Sequence, residues 1–227
     1  MTKYAVIDCE TTGLFRFRDA DGNGLRADAP GQPRVAHFTM IRLNEKFERE
    51  SVVDALIKPD GWTMPPEAGA INGLNDAILN EKGIPMIGPI AEYAAAIDEG
   101  RVIVAFNAAF DLKCGRAELR HAKMDDRFEK TLAICVMKAM TDICCIERMR
   151  PGGGYKQPKL SEACEHFGIT NRQAHSALGD AEAAEEILRR LHGMGKLPEP
   201  RLEYAAMSKQ PAPSVSPAIA AMPSMDF

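Results

Sequence analysis

Long apolar stretches are missing from this sequence, which contains no run of the roughly 18 apolar residues that a membrane-spanning helix needs. We therefore expect no transmembrane segment. The apolar run near the start, Ala5-Val6-Ile7, is too short for the core of a secretory signal peptide. The sequence predicts a cytoplasmic protein without a membrane partner.

Cys-x-x-Cys pairs are also absent, although the chain has six cysteines. Without a secretory signal, we expect reduced and mostly buried thiols. The alternative is a zinc site formed by Cys144, Cys145, Cys164 and His166, but their spacing fits no zinc-finger or zinc-ribbon pattern.

An excess of basic charge is the third absence, since 28 Lys and Arg stand against 32 Asp and Glu, for a formal net charge of −4. That balance argues against a protein coated in basic surface for long duplex DNA. It permits a nucleic-acid enzyme that grips a few phosphates in a local groove. The 45% hydrophobic and 26% charged residues are typical of a globular protein and exclude a fully disordered or collagen-like chain.

The order of predicted elements indicates the fold class. Short apolar strands are expected within residues 3–8, 34–43, 50–58, 101–106 and the start of 128–142, with the second and third paired as an antiparallel hairpin. Helical patterns separate or follow the later strands. This order predicts an α/β fold with a mixed sheet flanked by helices. We expect one domain over residues 1–195, and a flexible tail over 196–227, which becomes rich in Pro, Ala and Ser from residue 208.

Residues 15–33 are long for a connection inside a compact domain, and such loops are usually functional or mobile. The stretch from Asp19 begins like an EF-hand calcium loop, but Pro30 stands where that loop requires Glu. This loop directly follows the segment over residues 8–14. Three arginines in it are candidates for phosphate contacts or, equally, for solvated surface charges: Arg16, Arg18 and Arg26.

Two carboxylates mark the end of the first predicted strand. Asp8 and Glu10 are two residues apart, so in an extended chain both side chains point to the same face. The carboxyl edge of strands is where open α/β sheets bind their ligands. Magnesium, which prefers a few carboxylates plus waters, would relieve the repulsion between the two acids. The alternative interpretation is a helix N-cap followed by an acid in the first turn.

Three further residues are candidates for the same site. Asp111 follows the strand over 101–106, in the first turn of a helix that Asn107 is expected to cap. His175 precedes a helix that begins near Ser176, and Asp180 lies in the first turns of that helix. Such a set of carboxylates can hold two divalent ions for in-line displacement at phosphorus, and an imidazole can take the proton from the attacking water.

Three segments carry a family resemblance: Asp8-Cys-Glu10-Thr11-Thr12-Gly13-Leu14, Asn107-Ala-Ala-Phe110-Asp111 and His175-Ser-Ala-Leu-Gly-Asp180. Their order and spacing resemble the three motifs of the DEDDh 3′–5′ exonucleases, the DnaQ-like family that includes the proofreading subunit of bacterial replicative DNA polymerase. The resemblance covers about residues 2–193. It implies a ribonuclease-H-like fold with a five-stranded mixed sheet.

The resemblance also implies roles for individual residues. Asp8, Glu10 and Asp180 would hold one Mg²⁺, with Asp8 bridging to a second, and Mn²⁺ would substitute. Asp111 would reach the second ion through water, and His175 would be the general base. Substrate would lie along Thr11, Thr12, Leu14, Asn72 and Asn107, with the Thr11 backbone at the 3′-hydroxyl and Leu14 wedged against the last bases.

Two positions depart from the family pattern. Many members have His before the Asn-Ala-x-Phe-Asp segment, where this sequence has Phe106. Many have His-Gly-Ile where this sequence has Asn72-Gly73-Leu74. Both positions lie near substrate in the family, so nucleotide contacts there are expected to differ.

The resulting hypothesis is a metal-dependent 3′–5′ exonuclease that releases nucleoside 5′-monophosphates from single-stranded or frayed DNA ends, in proofreading or DNA repair. The alternatives are an exoribonuclease for RNA processing and a catalytically weak nucleic-acid-binding or scaffold module. The tail over 196–227, which ends at Asp226-Phe227, is a candidate docking segment for a polymerase or a single-strand binding protein.

Overall fold

The computed structural model describes residues 2–149 and 153–202. Residues 150–152 and the part of the expected 196–227 tail from residue 203 onward lie outside the described residues. The strands are β1 Tyr4–Thr11, β2 Val35–Leu43, β3 Arg49–Leu56, β4 Val102–Ala105, β5 Leu132–Cys135 and β6 Arg201–Leu202. The helices are α1 Pro66–Asn72, α2 Asp76–Lys82, α3 Ile87–Asp98, α4 Ala108–His121, α5 Val136–Cys144, α6 Leu160–Phe167 and α7 Ala177–Gly193.

The described strands form one mixed sheet in the order β3-β2-β1-β4-β5-β6. β1 pairs antiparallel with β2, which pairs antiparallel with β3, whereas β1, β4 and β5 run parallel. The predicted α/β class is therefore confirmed, with six strands where five were expected. The sixth, β6, pairs antiparallel with β5 and falls within the segment expected to be a tail. A strand as short as two residues carries no periodicity that the sequence could reveal.

Helices cover both faces of the sheet, and the alternation along β1 shows how. Ala5, Ile7 and Cys9 belong to the apolar cluster that packs against α3 and α4. Tyr4 and Val6 belong to the opposite cluster, which contains residues of α5, α6 and α7. Because side chains alternate along a strand, Asp8 lies on the same face as Tyr4 and Val6, towards α7.

Capping interactions define several helix ends, and one predicted cap is not formed. Asn75 accepts a hydrogen bond from the Ile78 N–H at the start of α2, and Ser176 accepts one from the Gly179 N–H at the start of α7. Gly73 ends α1 in the left-handed region at φ 73°, which glycine adopts without a steric penalty. The prediction that the Asn107 side chain caps α4 is wrong, since that side chain makes no capping hydrogen bond. Its backbone carbonyl instead accepts from the Phe110 N–H.

The loop over 15–33 is folded onto α4 by specific contacts. Phe15 and Ala27 are buried in the apolar cluster on that face. The buried Gln32 side chain accepts a hydrogen bond from the Arg16 N–H and donates to the Arg16 carbonyl. Asp28 pairs with Arg120 of α4 at 3.1 Å. The loop is therefore anchored at several points along its length.

The helices within the described ranges are all too short or too polar to cross a membrane.

Candidate active site

Three carboxylates from two elements meet at the edge of the sheet. Asp8 and Glu10 lie on β1, which continues to Thr11 rather than ending at Asp8 as expected. Asp180 lies in the first turn of α7. Each of the three offers an oxygen within 4.8 Å of the other two. Asp8 and Glu10 come together because residues two apart on a strand point to the same face. Asp180 joins them because α7 packs on that face of β1.

Asp111 approaches the same place from the other face of the sheet. It is 4% exposed in the first turn of α4, and its Oδ1 accepts a hydrogen bond from the Cys9 N–H at 3.1 Å. This bond joins α4 to the strand between Asp8 and Glu10. Asp111 lies close enough to Asp8 that its charge helps to raise the pKa of Asp8.

The carboxylates destabilise one another's ionised forms. The pKa of Asp8 is well above its usual range because of burial, followed by the charges of Asp111, Asp180 and Glu10. Burial and the Asp180 charge raise the pKa of Glu10 to about 7. Burial also raises the pKa of Asp111 to about 8, despite the hydrogen bond from Cys9. Oxygen donors that repel one another in this way fit a hard divalent cation, which would stabilise their charged forms.

The zinc alternative is not formed. Within residues 2–149 and 153–202, the group of three or more His, Cys, Asp or Glu side chains that could share an ion is the trio Asp8, Glu10 and Asp180. Cys144, Cys145, Cys164 and His166 make no such group.

His175 lies beside Asp180 at the start of α7. It is exposed and has a left-handed backbone at φ 67°. Its backbone N–H and its charge when protonated both lower the pKa of Asp180, against the larger effect of burial, which raises it. The imidazole is therefore accessible to solvent while its backbone is held against the carboxylate.

Gly179 determines how closely the loop before α7 packs on the helix. A Cβ atom at this position would lie 2.4 Å from the Gln173 carbonyl oxygen, which is closer than real Cβ contacts. Only glycine therefore allows the segment leading to His175 to pack here. The Asn171 side chain donates to Asp180 Oδ1 at 2.6 Å in the same segment. Sequence analysis missed Asn171, because nothing in its spacing from Asp180 marks it as a partner.

An open groove begins at Glu10 and extends away from the carboxylates. Its lining includes Leu14, Ile71, Asn72 and Phe110. Leu14 is 82% exposed and Ile71 is 66% exposed, so both present apolar surface to the groove. The groove thus offers an apolar surface next to an acidic cluster.

Most of the other predicted substrate residues already form hydrogen bonds within the protein. The Asn72 side chain hydrogen-bonds Glu10 and approaches the Thr11 carbonyl at 3.5 Å. Thr11 and Thr12 both line the groove. The Thr11 hydroxyl donates to the Gly13 carbonyl at 2.7 Å, and the Thr12 hydroxyl accepts from the Arg34 N–H at 2.9 Å. Asn107 is exposed at the start of α4.

Fold and site together define a class of protein: an α/β protein with clustered carboxylates, suited to divalent cations, at the strand edge beside an open groove. This is the arrangement of metal-dependent phosphodiester hydrolases. Residues 5–188 match the family model RNase_T, described as Exonuclease, and the chain belongs to that family.

Two curated relatives show how the match extends. The chain is 28% identical over 176 residues to the DNA polymerase III subunit epsilon of Treponema pallidum, covering 76% of this chain and 74% of that protein. It is 28% identical over 192 residues to the 3′-5′ exonuclease DinG of Staphylococcus saprophyticus, covering 82% of this chain but 17% of that protein. The predicted DnaQ-like family and the predicted nuclease enzyme are confirmed.

Solved structures show the same fold. E. coli exonuclease I in complex with a dA16 oligonucleotide superposes with a TM-score of 0.65 at 17% identity, over 87% of this chain and 42% of that one. The zinc-bound form of the E. coli enzyme with single-stranded DNA also superposes with a TM-score of 0.65. The sequence identity is 19%, and the match covers 85% of this chain and 41% of that one. The predicted ribonuclease-H-like fold is confirmed, and this chain spans about two fifths of those structures.

Proposed function

We propose that the chain is a metal-dependent 3′–5′ exonuclease that releases nucleoside 5′-monophosphates from single-stranded or frayed DNA ends. One observation carries the proposal: in a chain of the exonuclease family, Asp8, Glu10 and Asp180 place oxygens within 4.8 Å of one another beside an open groove.

The carboxylates fit two cation positions. Asp8, Glu10 and Asp180 would hold one, and Asp8 with Asp111 would hold the other, with Asp111 reaching it through water. Mg²⁺ ions, for which Mn²⁺ would substitute, would supply positive charge at the scissile phosphate and lower the pKa of the attacking water. The hydrogen bond from Cys9 to Asp111 keeps that carboxylate oriented towards β1.

His175 is the candidate general base. Its exposed imidazole lies at the mouth of the site and can pass a proton to solvent, while its backbone contact with Asp180 limits where the ring can go. In this mechanism, the imidazole takes one proton from the attacking water as its oxygen bonds to phosphorus. The P–O bond to the leaving 3′-oxygen breaks, and a proton from solvent completes the 3′-hydroxyl.

The groove supplies the binding surface for the last nucleotides. Leu14 and Ile71 offer apolar contacts to an unpaired base, and Phe110 forms part of the floor. The Thr11 backbone and the side chains of Thr12, Asn72 and Asn107 are candidates for polar contacts to the terminal nucleotide. Asn72 already bonds Glu10, so it would position that carboxylate as well as substrate.

DNA is proposed as the substrate because the relatives and neighbours are named for it. One relative is a DNA polymerase subunit, and E. coli exonuclease I has been solved with dT13 and dA16 oligonucleotides. A role in replication or repair, binding of a polymerase or single-strand binding protein through the segment after 202, and a cytoplasmic location stay predictions.

The test is a cleavage assay on 5′-labelled single-stranded DNA and RNA of matched sequence, with Mg²⁺. We expect a ladder that shortens from the 3′ end, with DNA cut faster than RNA. Asp8→Asn, which keeps the shape and removes the charge, is expected to lower the rate about a thousandfold. His175→Gln is expected to lower it by about 10²- to 10⁴-fold.

Three other results would contradict the proposal. Faster cutting of RNA would favour the exoribonuclease alternative. Intact strands with retained binding would favour a binding or scaffold module. A ladder that persists unchanged in Asp8→Asn would indicate that a contaminating nuclease, and not this site, cuts the strand.

A further inference from the structure

The loop over 15–33 presents an aromatic side chain that the proposed reaction does not use. Phe17 is 76% exposed, whereas its neighbour Phe15 is buried beneath the loop. A large apolar ring held in water has an unfavourable free energy unless something covers it, and a single exposed ring on an anchored loop is suited to binding.

A lysine fixes the position of this ring. Lys113 Nζ lies 4.4 Å from the ring centroid of Phe17 and 4.5 Å from that of Phe15, so the ammonium group touches both rings. A cation–π contact of this kind favours the orientation in which the ring faces the ammonium group. One face of Phe17 is thus occupied by a cation that belongs to helix α4.

The ring is continuous with the groove at the active site. Phe15 packs edge-on against Phe110 with ring centroids 5.6 Å apart, and Phe110 lines the groove beside Glu10. Lys113 lies three residues after Phe110 on α4, so the two side chains share one face of that helix. Phe17 is thus linked to the groove through Lys113, Phe15 and Phe110.

The charges around Phe17 favour an anion. Arg16 and Arg18 flank the ring in sequence, and their guanidinium groups donate to backbone carbonyls, of Gly31 and Gly22 respectively. Ion pairs between described residues include neither arginine.

The acids of the same loop partly offset these cations. Asp28 pairs with Arg26 and Arg120, and Asp19 accepts hydrogen bonds from the backbone N–H groups of Asp21 and Asn23. Asp19 and the exposed Asp21 form no ion pair among the described residues, so both oppose an anion. Three cations, Lys113 in contact with the ring and Arg16 and Arg18 next to it in sequence, stand against these two acids, an excess of one positive charge.

We propose that Phe17, Lys113, Arg16 and Arg18 form a second binding site, at which an unpaired nucleic-acid strand stacks a base on Phe17 and sets its phosphates against the three cations. This inference rests on the proposed function, because it extends the path of the same strand beyond the groove. Aromatic rings and cations along a track are how proteins bind single strands without reading sequence. The site would hold the substrate between successive cleavages.

The test is equilibrium binding by the full chain with a chelator present, so that no strand is cut. Labelled oligothymidylates of about 3 and about 12 nucleotides are compared by fluorescence anisotropy, the longer one being able to cover both sites. Phe17→Ala is expected to weaken binding of the longer strand about tenfold, and to affect the shorter strand much less.

Matched variants separate stacking from other causes. Phe17→Trp is expected to bind the longer strand at least as tightly as the parent, whereas Phe17→Leu, apolar but without a ring face, is expected to behave like Phe17→Ala. Val52→Ala truncates another exposed apolar side chain, on edge strand β3, and is expected to leave the Kd unchanged. Unfolding temperatures of all variants report whether they fold.

The proposal is overturned if Phe17→Ala binds the longer strand as the parent does, or if Phe17→Leu restores binding, which would indicate an apolar contact for a protein partner. It is also overturned if the parent fails to bind the longer strand. Failure of the proposed function looks different: the longer strand would bind through Phe17 and yet remain uncut with Mg²⁺.

Discussion

Asn171 donates its side-chain amide to Asp180 Oδ1 at 2.6 Å, which ties the segment before His175 to the helix that carries the carboxylate. The oxygen of the same side-chain amide accepts a hydrogen bond from the Gln173 N–H, so Asn171 also stabilises the turn that leads to His175. A carboxylate can accept this bond and still offer lone pairs to a cation. Asn171 is thus a positioning residue for two candidate catalytic groups.

Replacing Asn171 by Ala is expected to lower cleavage by about 10- to 100-fold, as loss of a residue that orients a metal ligand commonly does. The Mg²⁺ concentration for half-maximal rate should rise, because Asp180 would lose its orientation. Asn80→Ala is the matched control, since that side-chain amide also donates a local hydrogen bond, to the Asp76 backbone carbonyl, but lies on α2. An unchanged rate and an unchanged Mg²⁺ midpoint in Asn171→Ala would contradict the assignment.

The metal-free protein is expected to lose stability as pH rises. Burial and mutual repulsion raise the pKa of Glu10 to about 7 and of Asp111 to about 8, whereas unfolded carboxyls titrate near 4. Between these values the folded state binds more protons than the unfolded state, so the unfolding free energy falls with increasing pH. That contribution is complete below about pH 4 and lost above about pH 8.

Thermal unfolding with a chelator present tests whether stability falls as pH rises. The unfolding temperature should fall between about pH 5 and about pH 8, with each 1 kcal/mol corresponding to about 2–4 °C. Mg²⁺ should raise it more at the higher pH, because the cation binds the ionised carboxylates. Asp111→Asn should flatten the pH dependence. A chelated parent that is equally stable at both pH values would refute the prediction.

The buried ion pair between Arg34 and Glu118 should matter for folding. Arg34 Nε and Nη2 each donate to a Glu118 oxygen at 2.9 Å, and Glu118 is 2% exposed. Arg34→Met leaves that charge buried without its partner, which should lower the unfolding free energy by about 3–5 kcal/mol. The double variant Arg34→Met with Glu118→Met should recover much of the loss.

Chemical denaturation measures these differences. Arg190→Met is the control, because its pair with Glu186 lies at the surface and should contribute less than about 1 kcal/mol. If the double variant were as unstable as Arg34→Met alone, the cost would lie in lost packing or in the Val35 N–H, which also donates to Glu118.

Local pattern in the sequence predicted much of this protein. Alternation along β1 put Asp8 and Glu10 on one face, and the predicted helix start near Ser176 is where α7 begins. The order of strands and helices gave the α/β class, and three motif segments led to the family that the comparison then established. All of these features depend on residues close together in the chain.

Other features came from tertiary packing alone. The sixth strand joins the sheet because β5 offers an open edge at Leu132 and Ala133, which no pattern near Arg201 reveals. Asp111 meets Cys9 across 102 positions of the chain, and Arg34 meets Glu118 across 84.

The loop over 15–33 also combines features that the sequence predicted with features that only the tertiary structure revealed. Its length and its arginines were visible in the sequence, but the exposure of Phe17 and its contact with Lys113 were not. Periodicity and capping follow from the geometry of neighbouring residues, so the sequence by itself determines them. A contact between distant residues depends on which of many similar side chains the packed helices and strands bring together, and only the tertiary structure decides that.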